Sequence, residues 1–126
     1  VEKLIKLKRP EALNDSIESR PWGSFENIQY GKGYKVKKLL ILPGEKISLQ
    51  KHLKRSEHWV VVQGKARVTK GKNVFNLLCN QSIFIDKKMI HRIENITKKD
   101  LIIIEVQTGN YLEEDDIIRI EDKYKR

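Results

Sequence analysis

Short runs of apolar and β-branched residues, each closed by a turn signal, follow one another from Phe25 to Gln107, and this cadence constrains the fold more than any other feature of the chain. Phe25 to Tyr30, Tyr34 to Leu42, Lys65 to Lys70, Val74 to Leu78, Ser82 to Ile85, Ile90 to Ile93 and Leu101 to Gln107 all have strand length. Gly31-Lys32-Gly33, Pro43-Gly44, Gly64 and Gly71-Lys72 supply reversals between them. Strands this short, joined by reversals this tight, predict an all-β protein built as an antiparallel sandwich or barrel.

The ends of the chain differ in character. Leu4, Ile5 and Leu7 alternate with lysines before Pro10, which predicts a short amphipathic helix, and residues 11 to 19 read as a linker or second short helix. The expected organisation is therefore an N-terminal helix and linker over residues 1–19 and one domain over residues 20–126, opening at Arg20-Pro21-Trp22-Gly23 with Trp22 as a core plug. Near the other end, the acidic run Glu113-Glu114-Asp115-Asp116 predicts the start of a short helix, because carboxylates are favoured at a helix N-terminus.

At 126 residues, 39% apolar and 34% charged, the chain is expected to be one soluble domain. It has no apolar run of membrane-spanning length, and VEKLIKLKRP lacks the apolar centre of a signal peptide, so a cytoplasmic location is expected. A single cysteine, Cys79, forms no internal disulfide and reads as ordinary packing. The formal charge of +9 favours an anionic partner. No nucleic-acid motif accompanies the lysines at 3–8, 35–38, 65–72 and 98–99, which read as solvated surface, so neither nucleic acid nor membrane is the expected partner.

Chemistry concentrates between Gly44 and Gly64. Gln50 and His52 are two residues apart, so on a strand both project from one face. Glu57 follows a polar turn at Lys54-Arg55-Ser56 and can return to the same point, and His91 is a candidate fourth ligand from a later stretch. His58, beside Glu57, is expected on the opposite face. Two imidazoles, a carboxylate and an amide oxygen suit one divalent metal, Zn²⁺ first, with Mn²⁺, Fe²⁺, Co²⁺ or Ni²⁺ as alternatives. The amide leaves more positive charge on the metal than a second carboxylate would, which favours a Lewis-acid role.

Gly44, Gln50, His52, Glu57 and Gly64 fall at the spacing of the first cupin motif, with Gln50 in place of its first histidine. His91 and Asn95 match the second motif, in which Asn80, Asp86 and Lys88 replace the usual glycine, proline and glycine. Within the cupins, the run from Gln50 to Val68 resembles the isomerase domain of type II phosphomannose isomerases, whose metal motif is Q-x-H, then E, then a distant H. Arg20-Pro21-Trp22-Gly23 resembles the start of that domain, and the stretch from Gln107 to Arg119 resembles its ending. The resemblance implies a cupin jelly roll and a metal-dependent aldose-ketose isomerase that interconverts mannose 6-phosphate and fructose 6-phosphate, supplying mannose for GDP-mannose and polysaccharide synthesis. It implies a phosphorylated hexose as substrate and leaves a homodimer open. Arg119 inherits a catalytic role from the similar D-N-V-V-R of type I enzymes, with a tail ion pair to Asp115 or Asp116 as the alternative. Arg55 occupies an arginine position of the type II pattern, with a solvent-facing turn residue as the alternative. A non-catalytic sugar-binding or regulatory cupin and a metal-dependent cupin dioxygenase stand as the other functional classes.

Overall fold

The computed structural model describes residues 17–125. The expected N-terminal helix falls on residues outside that range, apart from Ile17 to Ser19, which are extended. Eleven strands make up the regular structure: β1 (Ile17–Arg20), β2 (Gly23–Gly31), β3 (Tyr34–Ile41), β4 (Leu49–Lys51), β5 (Arg55–Gln63), β6 (Ala66–Lys70), β7 (Asn73–Leu77), β8 (Ser82–Ile85), β9 (His91–Glu94), β10 (Leu101–Gly109) and β11 (Ile118–Glu121). They form a six-stranded sheet in the order β1-β2-β3-β10-β5-β8 and a five-stranded sheet in the order β11-β4-β9-β6-β7. Pairing is antiparallel throughout, as the tight reversals require.

The inner faces of the two sheets enclose the core, and the period-two pattern of each strand selects which side chains enter it. Trp22, Phe25, Ile41, Trp59, Val68, Ile93 and Ile103 are among those buried there. Fully burying one such aliphatic side chain is worth about 1.5–3 kcal/mol.

Three adjacent strands change character at the same level. Along β10 the inward side chains run Leu101, Ile103, Glu105, Gln107; along β3 they run Ile41, Leu39, Lys37, Lys35; along β5 they run Val61, Trp59, Glu57, Arg55. The ladder aligns these series, pairing Ile103 with Leu39 and Val61, Glu105 with Lys37 and Trp59, and Gln107 with Lys35 and Glu57. One end of the sandwich is therefore apolar inside, and the other is lined with charge.

Two local expectations are corrected. The acidic run starts no helix: it forms only a turn, with Asp116 N donating to Glu113 O at 3.2 Å, and the chain then enters β11, which pairs with β4. Tertiary pairing of Ile118–Glu121 at a sheet edge prevails over the local preference of the carboxylates. Cys79 is exposed in the turn after β7 rather than packed, its Sγ donating to Val62 O at 3.5 Å.

Gly109 is needed where β10 passes the start of β5. Its φ is +154°, and a Cβ there would lie 2.5 Å from Lys54 O and 3.2 Å from the Arg55 Cα. Close approach at this point sets Arg55 against the polar end of the sandwich.

Candidate metal centre

Gln50 lies in β4, His52 immediately after it, Glu57 in β5 and His91 at the start of β9, so both sheets contribute to one point. Gln50 is the ladder partner of His91, and the turn after His52 returns the chain so that Glu57 faces both. His52, Glu57 and His91 are buried, and one ligand atom from each lies within 4.8 Å of the others. Glu57 Oε2 is 3.2 Å from His52 Nε2, and Glu57 Oε1 is 3.8 Å from His91 Nε2.

Hydrogen bonds on the far side of each imidazole fix which nitrogen is offered. His52 Nδ1 donates to the Asp116 carbonyl at 2.6 Å, and His91 Nδ1 donates to the Met89 carbonyl at 2.8 Å. Each Nε2 is then left with its lone pair directed at the shared point. His91 Nε2 is buried with no hydrogen-bond partner. That orphaned acceptor, in a neutral imidazole beside a carboxylate and a second imidazole, fits a divalent cation. Burial, then the positive charge of Arg55, depresses His52 to about 4, and burial likewise depresses His91, so both rings are neutral as metal ligands must be.

Gln50 lies at the edge of this cluster. Its Nε2 lies 3.4 Å from His52 Nε2 while Oε1 accepts from Ser48 Oγ at 2.6 Å. A half-turn of the amide presents Oε1 to the same point and leaves Nε2 to donate to Ser48.

Arg55 is buried and lies against these groups, not in a solvent-facing turn. Its Nε donates to Glu57 Oε2 at 2.9 Å, its Nη2 lies 3.2 Å from His52 Nε2, and its Nη1 is buried without a partner. Arg119, in β11, is the ladder partner of Gln50 and lines the pocket together with Gln50 and Arg55. The two aspartates considered as its ion-pair partners have other attachments. Asp115 Oδ1 accepts from the Tyr111 hydroxyl at 2.6 Å, while the Asp116 carboxylate accepts from the backbone of Leu53 at 2.9 Å and Lys54 at 3.0 Å.

Lys37, Trp59, Glu105 and Asp116 also shape the site and are absent from the sequence-based candidates. Trp59 Nε1 donates to both Glu57 Oε1 and Glu105 Oε2 at 3.1 Å, bracing the Glu57 carboxylate. Burial, then the neighbouring Glu57 charge, raises Glu105 to about 7, against the pull of Arg55 and Lys37. The available signal was phase: Lys37 shares a strand face with Leu39 and Ile41, as Glu105 does with Leu101 and Ile103. His58, as expected, faces outward, its ring 4.7 Å from that of Phe84.

The two turns flanking β8, which carry the altered second motif, keep a glycine-like shape without glycine. Asn80 and Lys88 have φ of 72° and 66°, and Lys88 N donates to His52 O at 2.6 Å. Asp86, where the motif has proline, accepts from Lys87 N at 2.7 Å and from Ser56 Oγ at 3.3 Å. Asn95 is buried as a brace, donating from Nδ2 to Ile41 O at 2.9 Å and Lys99 O at 2.7 Å.

Comparison with known proteins agrees with this architecture. A family model described as "Mannose-6-phosphate isomerase C-terminal" matches residues 8–122. Over its full length the chain is 49% identical to the xanthan biosynthesis protein XanB of Xanthomonas campestris pv. campestris, covering 27% of that protein. It is 50% identical over its full length to the mannose-1-phosphate guanylyltransferase ManC of Salmonella typhimurium, covering 26%. The Cnp3 cupin domain of Schizosaccharomyces pombe superposes with a TM-score of 0.68 at 13% identity, covering 76% of this chain and 71% of that one, which shows the cupin fold.

These matches correct the functional expectation. The chain spans about a quarter of the length of the curated relatives it matches, and those relatives are named for xanthan biosynthesis and for guanylyl transfer. The expectation that this chain is in itself the mannose 6-phosphate–fructose 6-phosphate isomerase supplying GDP-mannose synthesis is therefore withdrawn: it corresponds to one portion of longer proteins.

Proposed function

The chain belongs to the mannose-6-phosphate isomerase C-terminal family, and from that membership we propose that it is a metal-bearing, phosphosugar-binding domain of isomerase type that works within a larger protein. The observation that carries the reading is the buried His52–Glu57–His91 cluster, with its orphaned Nε2, in contact with Gln50 and Arg55, which together with Arg119 line a neighbouring pocket. Gln50, His52, Glu57 and His91 would hold one divalent ion, and a two-imidazole, oxygen-rich donor set suits Zn²⁺ first. Such an ion supplies Lewis-acid polarisation of a sugar oxygen.

The remaining work falls to side chains of this chain. Asp116 and Met89 hold the two imidazoles in the ligating tautomer through their carbonyls. Arg55 neutralises Glu57 and keeps an unused Nη1 donor for a sugar or phosphate oxygen. Arg119 adds a planar, permanently charged donor at the pocket wall, suited to an oxygen that gains negative charge as a proton leaves the neighbouring carbon. A cytoplasmic location accompanies this reading, because the substrate class is a phosphorylated metabolite and Cys79 is a free thiol.

The test is proton exchange. The metal-reconstituted chain, incubated in D₂O with mannose 6-phosphate, is expected to introduce deuterium at the carbon next to the carbonyl, as read by NMR, and to lose that activity with His91→Ala. Metal and sugar binding without any exchange would leave a binding domain and remove the isomerase-type chemistry.

A further inference from the structure

Lys37 is the least expected occupant of the pocket. Its side chain points inward from the middle of β3 and is 3% exposed, and its Nζ lies 4.1 Å from the centre of the Phe25 ring. An ammonium so placed requires a paired anion. That anion is the Glu114 carboxylate, which reaches Lys37 from the turn before β11 and is itself 48% exposed. The other carboxylate lining the pocket, Glu105, is held at its two oxygens by Trp59 Nε1 and by Gln107 Nε2 at 2.7 Å. Arg20 lies on the same Phe25 ring, 4.7 Å from its centre, and also lines the pocket.

We propose that Lys37 is the anion subsite of this pocket, that its ligand is the phosphate monoester of a sugar, and that Glu114 occupies the subsite until that phosphate displaces it. The proposal rests on the phosphosugar reading above and names the cation that would pair with the phosphate charge. Three features favour the exchange. Lys37 is fixed and buried while Glu114 is half in water, so the carboxylate is the partner that can leave and be resolvated. A phosphate dianion replaces a monoanion, so the buried ammonium is never left unpaired and gains charge in its partner. Arg55 lines the same pocket, and its buried, unpartnered Nη1 is a further donor for an oxygen-rich ligand. Burial alone would raise Glu114, yet Lys37, assisted by Arg55, holds it below the usual carboxylate range, so it remains a charged competitor at neutral pH.

Calorimetric titration of the metal-loaded chain with mannose 6-phosphate, inorganic phosphate and mannose tests the idea. Glu114→Gln should bind both phosphates about tenfold more tightly, mannose binding should not change, and Glu114→Asp should fall between wild type and Glu114→Gln. Lys37→Met in the Glu114→Gln background should lose the gain, whereas Lys37→Arg should keep most of it. Unchanged or weaker phosphate binding by a folded Glu114→Gln variant overturns the proposal, as does retention of the gain without Lys37. If the double variant fails to fold, the Glu114→Asp series decides alone, since a merely structural counterion predicts no graded change in phosphate affinity. Tight phosphosugar binding without proton exchange would sustain the subsite and remove the isomerase reading. Exchange with a KM indifferent to Glu114→Gln would do the reverse.

Discussion

Arg119 stands directly across the antiparallel ladder from Gln50, and Gln50 stands across from His91. Ladder partners project from the same face of a sheet. An arginine near the end of the chain and two candidate ligands from separate motifs thus share one row, and Arg119 lines the same pocket as Gln50.

Arg119→Lys keeps the charge in that row and loses the planar fork. Turnover in the exchange assay is expected to fall about 100-fold, equivalent to about 2.7 kcal/mol of transition-state stabilisation, with metal content and melting temperature unchanged. Normal turnover with a lowered melting temperature would instead make Arg119 an anchor of the tail.

Stability of the metal-free protein should depend on pH through two opposed effects. His52, held near 4 by burial and then by Arg55, and His91, lowered by burial, accept protons more readily when unfolded. Their contribution is present above about 6.5 and is lost as pH falls, by about 3 kcal/mol for His52 alone. Glu105, raised to about 7 by burial and then by Glu57, acts in the other sense: its contribution is present below its unfolded value and is lost as pH rises through 7. Glu105→Gln removes the second effect. Urea titrations between pH 4.5 and 6.5 after chelation should therefore show a steeper rise of stability with pH in this variant than in wild type. Equal slopes would remove Glu105 as a titrating buried acid.

Asp116 holds the tail turn to Leu53 and Lys54 through its carboxylate and orients His52 through its carbonyl. Asp116→Ala leaves the carbonyl but frees the turn that places it. Metal affinity should fall about 10- to 100-fold, as for other losses of ligand support, when measured by equilibrium dialysis. Asp116→Asn, which can still accept one of the two backbone bonds, should fall between. Unaltered affinity in both would detach the tail from the metal centre.

Lys88 carries a cost for its left-handed conformation. Glycine removes about 1–2 kcal/mol of steric penalty but adds about 0.5–1 kcal/mol of unfolded-chain entropy. Lys88→Gly is expected to raise stability by up to about 1.5 kcal/mol in chemical denaturation. A loss of stability would show that the Lys88 side chain makes a compensating contact.

The sandwich was legible because strand-length runs are closed one after another by glycine and proline turns, and the His52–Glu57–His91 cluster because its members lie at motif spacing. Lys37 was missed because its neighbours, Lys35 and Lys38, made the segment resemble a solvated lysine patch; its phase with Leu39 and Ile41 outweighs that composition. The tail was misread for a different reason. Its acidic residues favour a helix start locally, but Glu114 answers a lysine on β3 and Asp116 answers backbone groups at Leu53 and Lys54, partners that no local window contains.

His52 and Asp116 are 64 residues apart in sequence, and bringing such distant points together in an unfolded chain costs about 4 kcal/mol of entropy. Contacts of that range form slowly, after local hairpins such as β2–β3 and β6–β7. Refolding is therefore expected to pass through a species in which those hairpins have formed while the His52 ring still rotates freely. Metal added at that stage would meet an unsorted mixture of tautomers, so capture of the ion should lag behind formation of the hairpins in stopped-flow mixing.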